Sequence, residues 1–201
     1  KQRRDALLSS LPSAERARFR SCGGPGAAAW LQTLPTAPGL CLPDRHFQLA
    51  CRMRLGQTTY PEGKTCQRRS RGGARCDAPL DQEGDHAHTC ERGRQRQVRH
   101  DGQRRATARI LRMHRVGCEE EVRVPEWDRT RRNGTVQRAR LDLRIEGGPG
   151  APVRFADHKV THPRAQSYVR AAAAEDGAAA SSGERAKHRR YGPQVLALLT
   201  E

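Results

Sequence analysis

Ala139-Arg140-Leu141-Asp142-Leu143-Arg144-Ile145 alternates apolar and charged residues at the two-residue period of a strand. Gly147-Gly148-Pro149-Gly150 then supplies turn residues, and Pro152-Val153-Arg154-Phe155-Ala156-Asp157-His158-Lys159-Val160 resumes an extended pattern. Together they predict a hairpin. Upstream, Glu121-Val122-Arg123-Val124 alternates in the same way and predicts a first strand. Residues 93–117 read as a helix, with Val98, Ala106, Ile110, Leu111 and Met113 as its apolar stripe. Alanine-rich helices are predicted from Pro163 to Ala174 and from Ala178 to Tyr191, the second stopped by Gly192-Pro193. Val195–Leu199 reads as a last strand, so the order is α, β, β, β, α, α, β.

Further out, residues 1–57 read as helical, with caps at Ser13 and Asp44 and a close at Gly56. Trp30 and Trp127 are the expected core anchors. Residues 57–65 are a polar connector and residues 66–90 have loop composition, so the expected segments are 1–57, 58–92 and 93–201. The whole is expected to be α+β. The start at Lys1 lacks an initiator Met and signal-peptide architecture, so the chain reads as an excerpt, C-terminally truncated at Glu201.

The loop segment cannot fold by burial, because residues 66–90 contain almost nothing apolar. It does contain Cys66, Cys76, His86 and Cys90, spaced Cys-x9-Cys-x9-His-x3-Cys. Three thiolates and one imidazole suit tetrahedral zinc, and His-x3-Cys is the offset that one helical turn presents. His88 is the rival to His86, and Asp81 or Asp85 the candidate acceptor for the ligating ring. Cys22, Cys41, Cys51 and Cys118 stand in apolar or turn contexts and read as small buried hydrophobes. Seven cysteines, an odd number with three of them in residues 66–90, argue for metal over disulfides and for a reducing compartment, cytosol or nucleus.

Charge decides the partner class. A net charge of +16 and a pI near 10.8, carried mostly by arginine, point to a polyanionic partner, DNA or RNA. Mean hydropathy of −0.89 and 35% hydrophobic residues leave no transmembrane run and little core, so a metal staple is needed. Arg92, Arg94, Arg96, Arg99, His100, Arg104 and Arg105 are the expected nucleic-acid contacts.

Asp142 and Asp157 are acids in an Arg-rich stretch, placed where a hairpin brings them together. Converging carboxylates repel each other unless they share a cation, and oxygen ligands suit Mg2+ or Mn2+. Period two puts Lys159 on the face of Asp157, where it could serve the attacking water. Glu121 is the candidate first-strand acid, beside its neighbours Glu119 and Glu120 and the further contender Glu126.

Asp-x14-Asp-x-Lys resembles the PD-(D/E)xK nuclease signature, with Leu141 in place of proline, and the element order resembles the αβββαβ core with a mixed sheet of the restriction-endonuclease-like fold. Several features recur in one order: Gly84-Asp85-His86-Ala87-x-x-Cys90, Arg99-His100-Asp101, Leu141-Asp142, Asp157 through Thr161-His162-Pro163, and Lys187-x-x-Arg190-Tyr191. That order resembles the C-terminal region of site-specific non-LTR retrotransposon proteins. There a zinc knuckle precedes a restriction-like endonuclease that nicks target DNA. The resemblance implies Asp142 and Asp157 as metal ligands with Glu121 assisting, and Lys187 as a rival to Lys159. It also implies nuclear action and a polymerase domain elsewhere in the parent protein.

Overall fold

A computed structural model describes residues 2–148 and 150–198, with 193–198 as backbone alone. The helices are α1 (Gln2–Ser10), α2 (Ser13–Ser21), α3 (Ala29–Gln32), α4 (Asp44–Leu55), α5 (Asp85–Thr89), α6 (Gln95–Met113), α7 (Val169–Ala174) and α8 (Ala178–Leu198). The strands are β1 (Cys118–Arg123), β2 (Arg129–Thr130), β3 (Val136–Gln137), β4 (Arg140–Ile145) and β5 (Arg154–Ala156). The chain is α+β, as expected. Two units divide it: residues up to Gln95 with Thr161–Ser182, and Arg96–Val160 with residues from Gly183 onward.

The first unit is held by alanine. Ala17 of α2 packs on Ala172, Ala173 and Ala179, with Tyr168 and Val169 against them. Side chains this small let helix backbones come close. For that reason residues 161–182 pack here and not in the 93–201 segment where they were expected. Asp176 adds ion pairs to Arg4 and, at 3.1 Å, to Arg20. Pro12 and Pro43, not Ser13 and Asp44, precede α2 and α4, and neither helix has a side-chain cap. Gly56 closes α4 in the left-handed conformation. Trp30 is only half-buried and meets Phe47 edge-on at 5.8 Å, so it is no core anchor.

In the second unit β1, β4 and β5 form an antiparallel sheet with β4 central. Val122 faces Leu141 across the first ladder and Leu143 faces Ala156 across the second. Leu141 and Leu143 are fully buried, each contributing about 1.5–3 kcal/mol. Leu141 packs with Val124, Trp127, Ala139 and Tyr191. Asp142, between the two leucines, faces the other side and is still 8% exposed only. β2 and β3 add a small separate hairpin whose three-residue loop, 132–134, is closed by Gly134 at φ +78°.

Two expectations about strands are corrected. β5 ends at Ala156, because continuing the register would set Asp157 directly opposite Asp142. The His158 N–H donates to Asp142 Oδ2 at 2.6 Å instead of to a ladder carbonyl. Residues 195–198, expected as a strand, continue α8 through Gly192-Pro193, and Leu199 lies outside the described residues. A short apolar run of Leu and Ala is equally compatible with a helical turn. The sheet therefore contains only antiparallel pairs among the described residues, where a mixed sheet was expected. The stripe expected on α6 is also mostly exposed. Its buried residues are Arg104 and Ala108, while Val98, Ile110 and Met113 face outward.

Asp128 ties the turn Pro125–Trp127 to the sheet. Its carboxylate takes both Arg123 guanidinium nitrogens and the Ala139 N–H at 2.6 Å. The Arg123 hydrogen bonds, then that of Ala139, hold its carboxyl below the usual carboxylate value. A lowered folded value stabilises the protein above the ordinary pKa of about 4, and the contribution disappears as pH falls through the folded value. Asp128→Asn is therefore expected to lower the urea midpoint at pH 7, with the gap to wild type narrowing by pH 3. A gap that is constant or wider at pH 3 would contradict this linkage.

Among the described residues, no helix is long and apolar enough to cross a membrane.

Candidate functional site

Two groups of metal-capable side chains stand out, one in each unit. The first is built by a hairpin and one turn of helix. Cys66 N–H bonds Ala78 O and Cys76 N–H bonds Arg68 O, both at 2.8 Å, so residues 64–80 form an irregular antiparallel hairpin with one cysteine on each arm. Asp81 then accepts from the N–H groups of Asp85 and His86, both at 2.6 Å, which starts α5. These backbone donors outweigh burial and hold the Asp81 carboxyl below its usual value. Helix α5 carries His86, and Cys90 follows at its end.

The separations decide what this cluster can do. Cys90 Sγ lies 3.7 Å from both Cys66 Sγ and Cys76 Sγ, and Cys76 Sγ lies 3.4 Å from His86 Nε2. Zinc–sulfur and zinc–nitrogen bonds at tetrahedral angles put sulfurs about 3.8 Å apart and sulfur about 3.6 Å from nitrogen. A disulfide would need about 2 Å. Cys66, Cys76, His86 and Cys90 thus form a group able to hold a metal such as zinc. Burial pushes the Cys66 thiol up. Burial acts the same way on Cys90, but the Arg92 N–H and the neighbouring sulfurs outweigh it and hold Cys90 low.

His88, the rival ligand, stacks on His162 at 5.7 Å instead. Neither acid meets the ligating ring as expected: Asp81 serves backbone, and Asp85 pairs with Arg164 at 2.7 Å and with His162 at 3.6 Å. Thr161–Pro163, expected at a strand end, belong to no strand. The other cysteines are not core residues. Cys41 is exposed, and Cys22, Cys51 and Cys118 are half-buried.

Gly84, just before α5, has φ +85°, and a Cβ there would lie 2.7 Å from Thr59 Oγ1 and 3.1 Å from Tyr60 Cε2. Left-handed backbone costs a side chain about 1–2 kcal/mol before any clash. Gly84→Ala is expected to weaken zinc retention about tenfold or more against a competing chelator. Retention equal to wild type would mean that the approach is not constrained.

The second group takes His100 from α6, Asp142 from within β4 and Asp157 from just past the end of β5. His100, Asp142 and Asp157 each place a ligand atom within 4.8 Å of the others. His100 Nε2 is 3.1 Å from Asp142 Oδ2, and His158 Nδ1 is 3.3 Å from the same oxygen. Lys187 of α8 pairs with Asp157. Burial raises the Asp157 carboxyl above its usual value; Lys187 opposes this and Asp142 adds to it. Burial and then Asp157 raise Tyr191 as well. His100, Asp142, Asp157, Lys187 and Tyr191 line a cavity of about 240 Å³ together with Arg104, Glu121 and Arg140. Two converging carboxylates in such a cavity are a donor set that a divalent cation fits.

Several residues stand elsewhere than expected. Lys159 is exposed and outside the cavity, because β5 stops before Asp157 and strand periodicity no longer applies. Glu121 lines the cavity but is held by Arg104 and Arg140 and is not in the three-residue group. Its backbone is left-handed, φ +58°, and the β1–β4 ladder skips it opposite Asp142. Glu119 is exposed. Arg104 is no free phosphate contact: it is buried among Glu120, Glu121 and Asp101. Arg92, Arg94, Arg96 and Arg105 are exposed, and Arg99 is half-buried. His158, Gln97 and Tyr191 were not foreseen as site residues. Position beside Asp157 was the one available signal for His158.

Comparison with known proteins finds no match to this chain among family models, curated proteins or solved structures.

Proposed function

We propose that the chain carries a Mg2+- or Mn2+-dependent DNA endonuclease region of a retrotransposon-type protein, acting in the nucleus, with a restriction-endonuclease-like core that nicks target DNA. The observation that carries this reading is the meeting of Asp142, within β4, and Asp157, just past the end of β5, with Lys187 on Asp157. Within the second unit, the succession α6, β1, β4, β5 and the later part of α8 follows the αβββα part of that core's order, with β2–β3 as an insertion and α7 outside the unit. The zinc knuckle and the exposed arginines around the start of α6 would hold nucleic acid by phosphate contacts, DNA first and RNA second.

Asp142 and Asp157 would hold the cation. Such an ion, when bound, offsets charge on the scissile phosphate and makes water more acidic. The Lys187 ammonium, next to Asp157, is placed to donate to a phosphate oxygen or to orient water. Arg140, whose side chain is 61% exposed, offers its guanidinium to a flanking phosphate.

A second reading has its own observation. Glu121 and Asp142 already have protein partners in Arg104, Arg140, His100 and His158, as acids in a non-catalytic, zinc-dependent nucleic-acid-binding module would. Nicking of supercoiled plasmid with Mn2+ separates the two. The wild-type protein is expected to nick and an Asp142→Ala, Asp157→Ala double variant to lose at least about 10²-fold. Undiminished nicking by the double variant would refute the site. DNA binding without nicking by the wild type would leave the binding module.

A further inference from the structure

We infer that His100 is a third, nitrogen ligand of the cation held by Asp142 and Asp157, so that this site selects Mn2+ over Mg2+. The inference rests on reading the Asp142–Asp157 cavity as a divalent-cation site, but not on cleavage.

Geometry supports ligation first. Adjacent ligands of an octahedral ion with bonds of roughly 2.1–2.2 Å stand about 3.0 Å apart. His100 Nε2 and Asp142 Oδ2 are 3.1 Å apart, and an Asp157 oxygen is within 4.8 Å of both. Behind the ring, the buried Nδ1 makes no hydrogen bond but lies 3.5 Å from Asp101 Oδ1, an ion-pair separation, and that carboxylate is held by Gln97 at 2.7 Å and Arg104 at 3.4 Å. Metal-bound imidazoles commonly carry a carboxylate on the opposite nitrogen, which fixes the ring and raises the basicity of the ligating one. Asp101 stands one residue along α6 from His100, and His100, Gln97 and Arg104 all lie on that same helix.

His158 does not compete for this role. Its backbone N–H and Nδ1 both address Asp142 Oδ2, and its Nε2 is 3.1 Å from Thr107 Oγ1. It is a positioning residue for the Asp142 carboxylate.

Selectivity follows from the donor set. Mg2+ prefers an all-oxygen shell and keeps its waters, whereas an imidazole favours first-row transition ions. Two carboxylates keep the site hard enough for Mn2+, the member of that series closest to Mg2+ in its oxygen preference.

The test measures binding directly. The zinc-loaded full chain is titrated calorimetrically with MnCl2 and, separately, with MgCl2. Wild type is expected to bind Mn2+ at least about tenfold tighter than Mg2+. His100→Ala should weaken Mn2+ by about tenfold or more and Mg2+ by much less. His100→Asp, which restores an oxygen ligand, should shift the ratio back toward Mg2+. Pulsed electron paramagnetic resonance of bound Mn2+ should show coupling to an imidazole nitrogen in wild type and none in either variant. Equal affinities for the two ions, or a nitrogen coupling that survives His100→Ala, would overturn the inference. Mn2+ binding with the nitrogen signature but no plasmid nicking would support it while refuting the endonuclease reading. Nicking with no nitrogen coupling would do the reverse.

Discussion

Chelation of the metal from Cys66, Cys76, His86 and Cys90 is expected to unfold residues 64–90 while the sheet of β1, β4 and β5 persists. Little else can hold this segment. Its buried apolar residues are Cys66, Ala87 and Cys90, and two of these are themselves ligands. The hairpin hydrogen bonds from Cys66, Cys76 and Leu80 are few and close an irregular ladder. Structural zinc contributes an apparent binding free energy of about 10–16 kcal/mol, which in such a segment is folding free energy. Hydrogen exchange should show the amides of Cys66, Cys76 and Cys90 losing protection on chelation, with those of Leu141 and Leu143 retaining theirs. Cys66→Ser or Cys90→Ser should reproduce the loss and lower bound zinc from one equivalent. Protection at residues 64–90 that survives chelation would remove the metal from the account of this segment.

The second large effect separates two lysines. Lys187→Ala is expected to reduce Mn2+-dependent plasmid nicking by about 10²–10³-fold, the scale on which a positioned donor to developing charge acts. Lys159→Ala should leave nicking within about twofold, since Lys159 is exposed and away from the cavity. Lys187→Ala also leaves Asp157 beside Asp142 without its cation, so thermal stability is measured alongside. Lys187→Arg keeps the charge and serves as the control for folding. Comparable losses at both positions, or loss at Lys159 alone, would reverse the assignment.

What the sequence revealed divides along sequence distance. The four residues able to hold a metal such as zinc lie within one 25-residue segment that has no competing core, and helical spacing favoured His86 over His88. The alternation at 139–145 announced β4, and the turn after it announced the hairpin that brings Asp142 and Asp157 together. Long-range pairings were not visible in this way. Nothing in Arg104 itself distinguishes it from the exposed Arg105; only Glu120 and Glu121, across the fold, explain its burial. Lys187 reaches Asp157 over 30 residues, whereas Lys159 was favoured by a strand period that ends too soon. Alanine contacts among Ala17, Ala172, Ala173 and Ala179 carry almost no hydropathy signal, so the packing of residues 161–182 was hidden in composition.

The left-handed backbone at Glu121 has a bearing on how this position can change over time. Its occupant must meet two demands that no one residue meets well. The dihedral angle favours Gly, with Asn next, while the guanidinium groups of Arg104 and Arg140 require a carboxylate of glutamate length. Saturation mutagenesis scored twice, once for thermal tolerance and once for cation-dependent function, should therefore rank the substitutions at 121 in different orders. Gly and Asn would lead the first ranking and acids the second. Drift away from glutamate here would be expected in lineages where selection on the cavity has lapsed and only folding is still under selection.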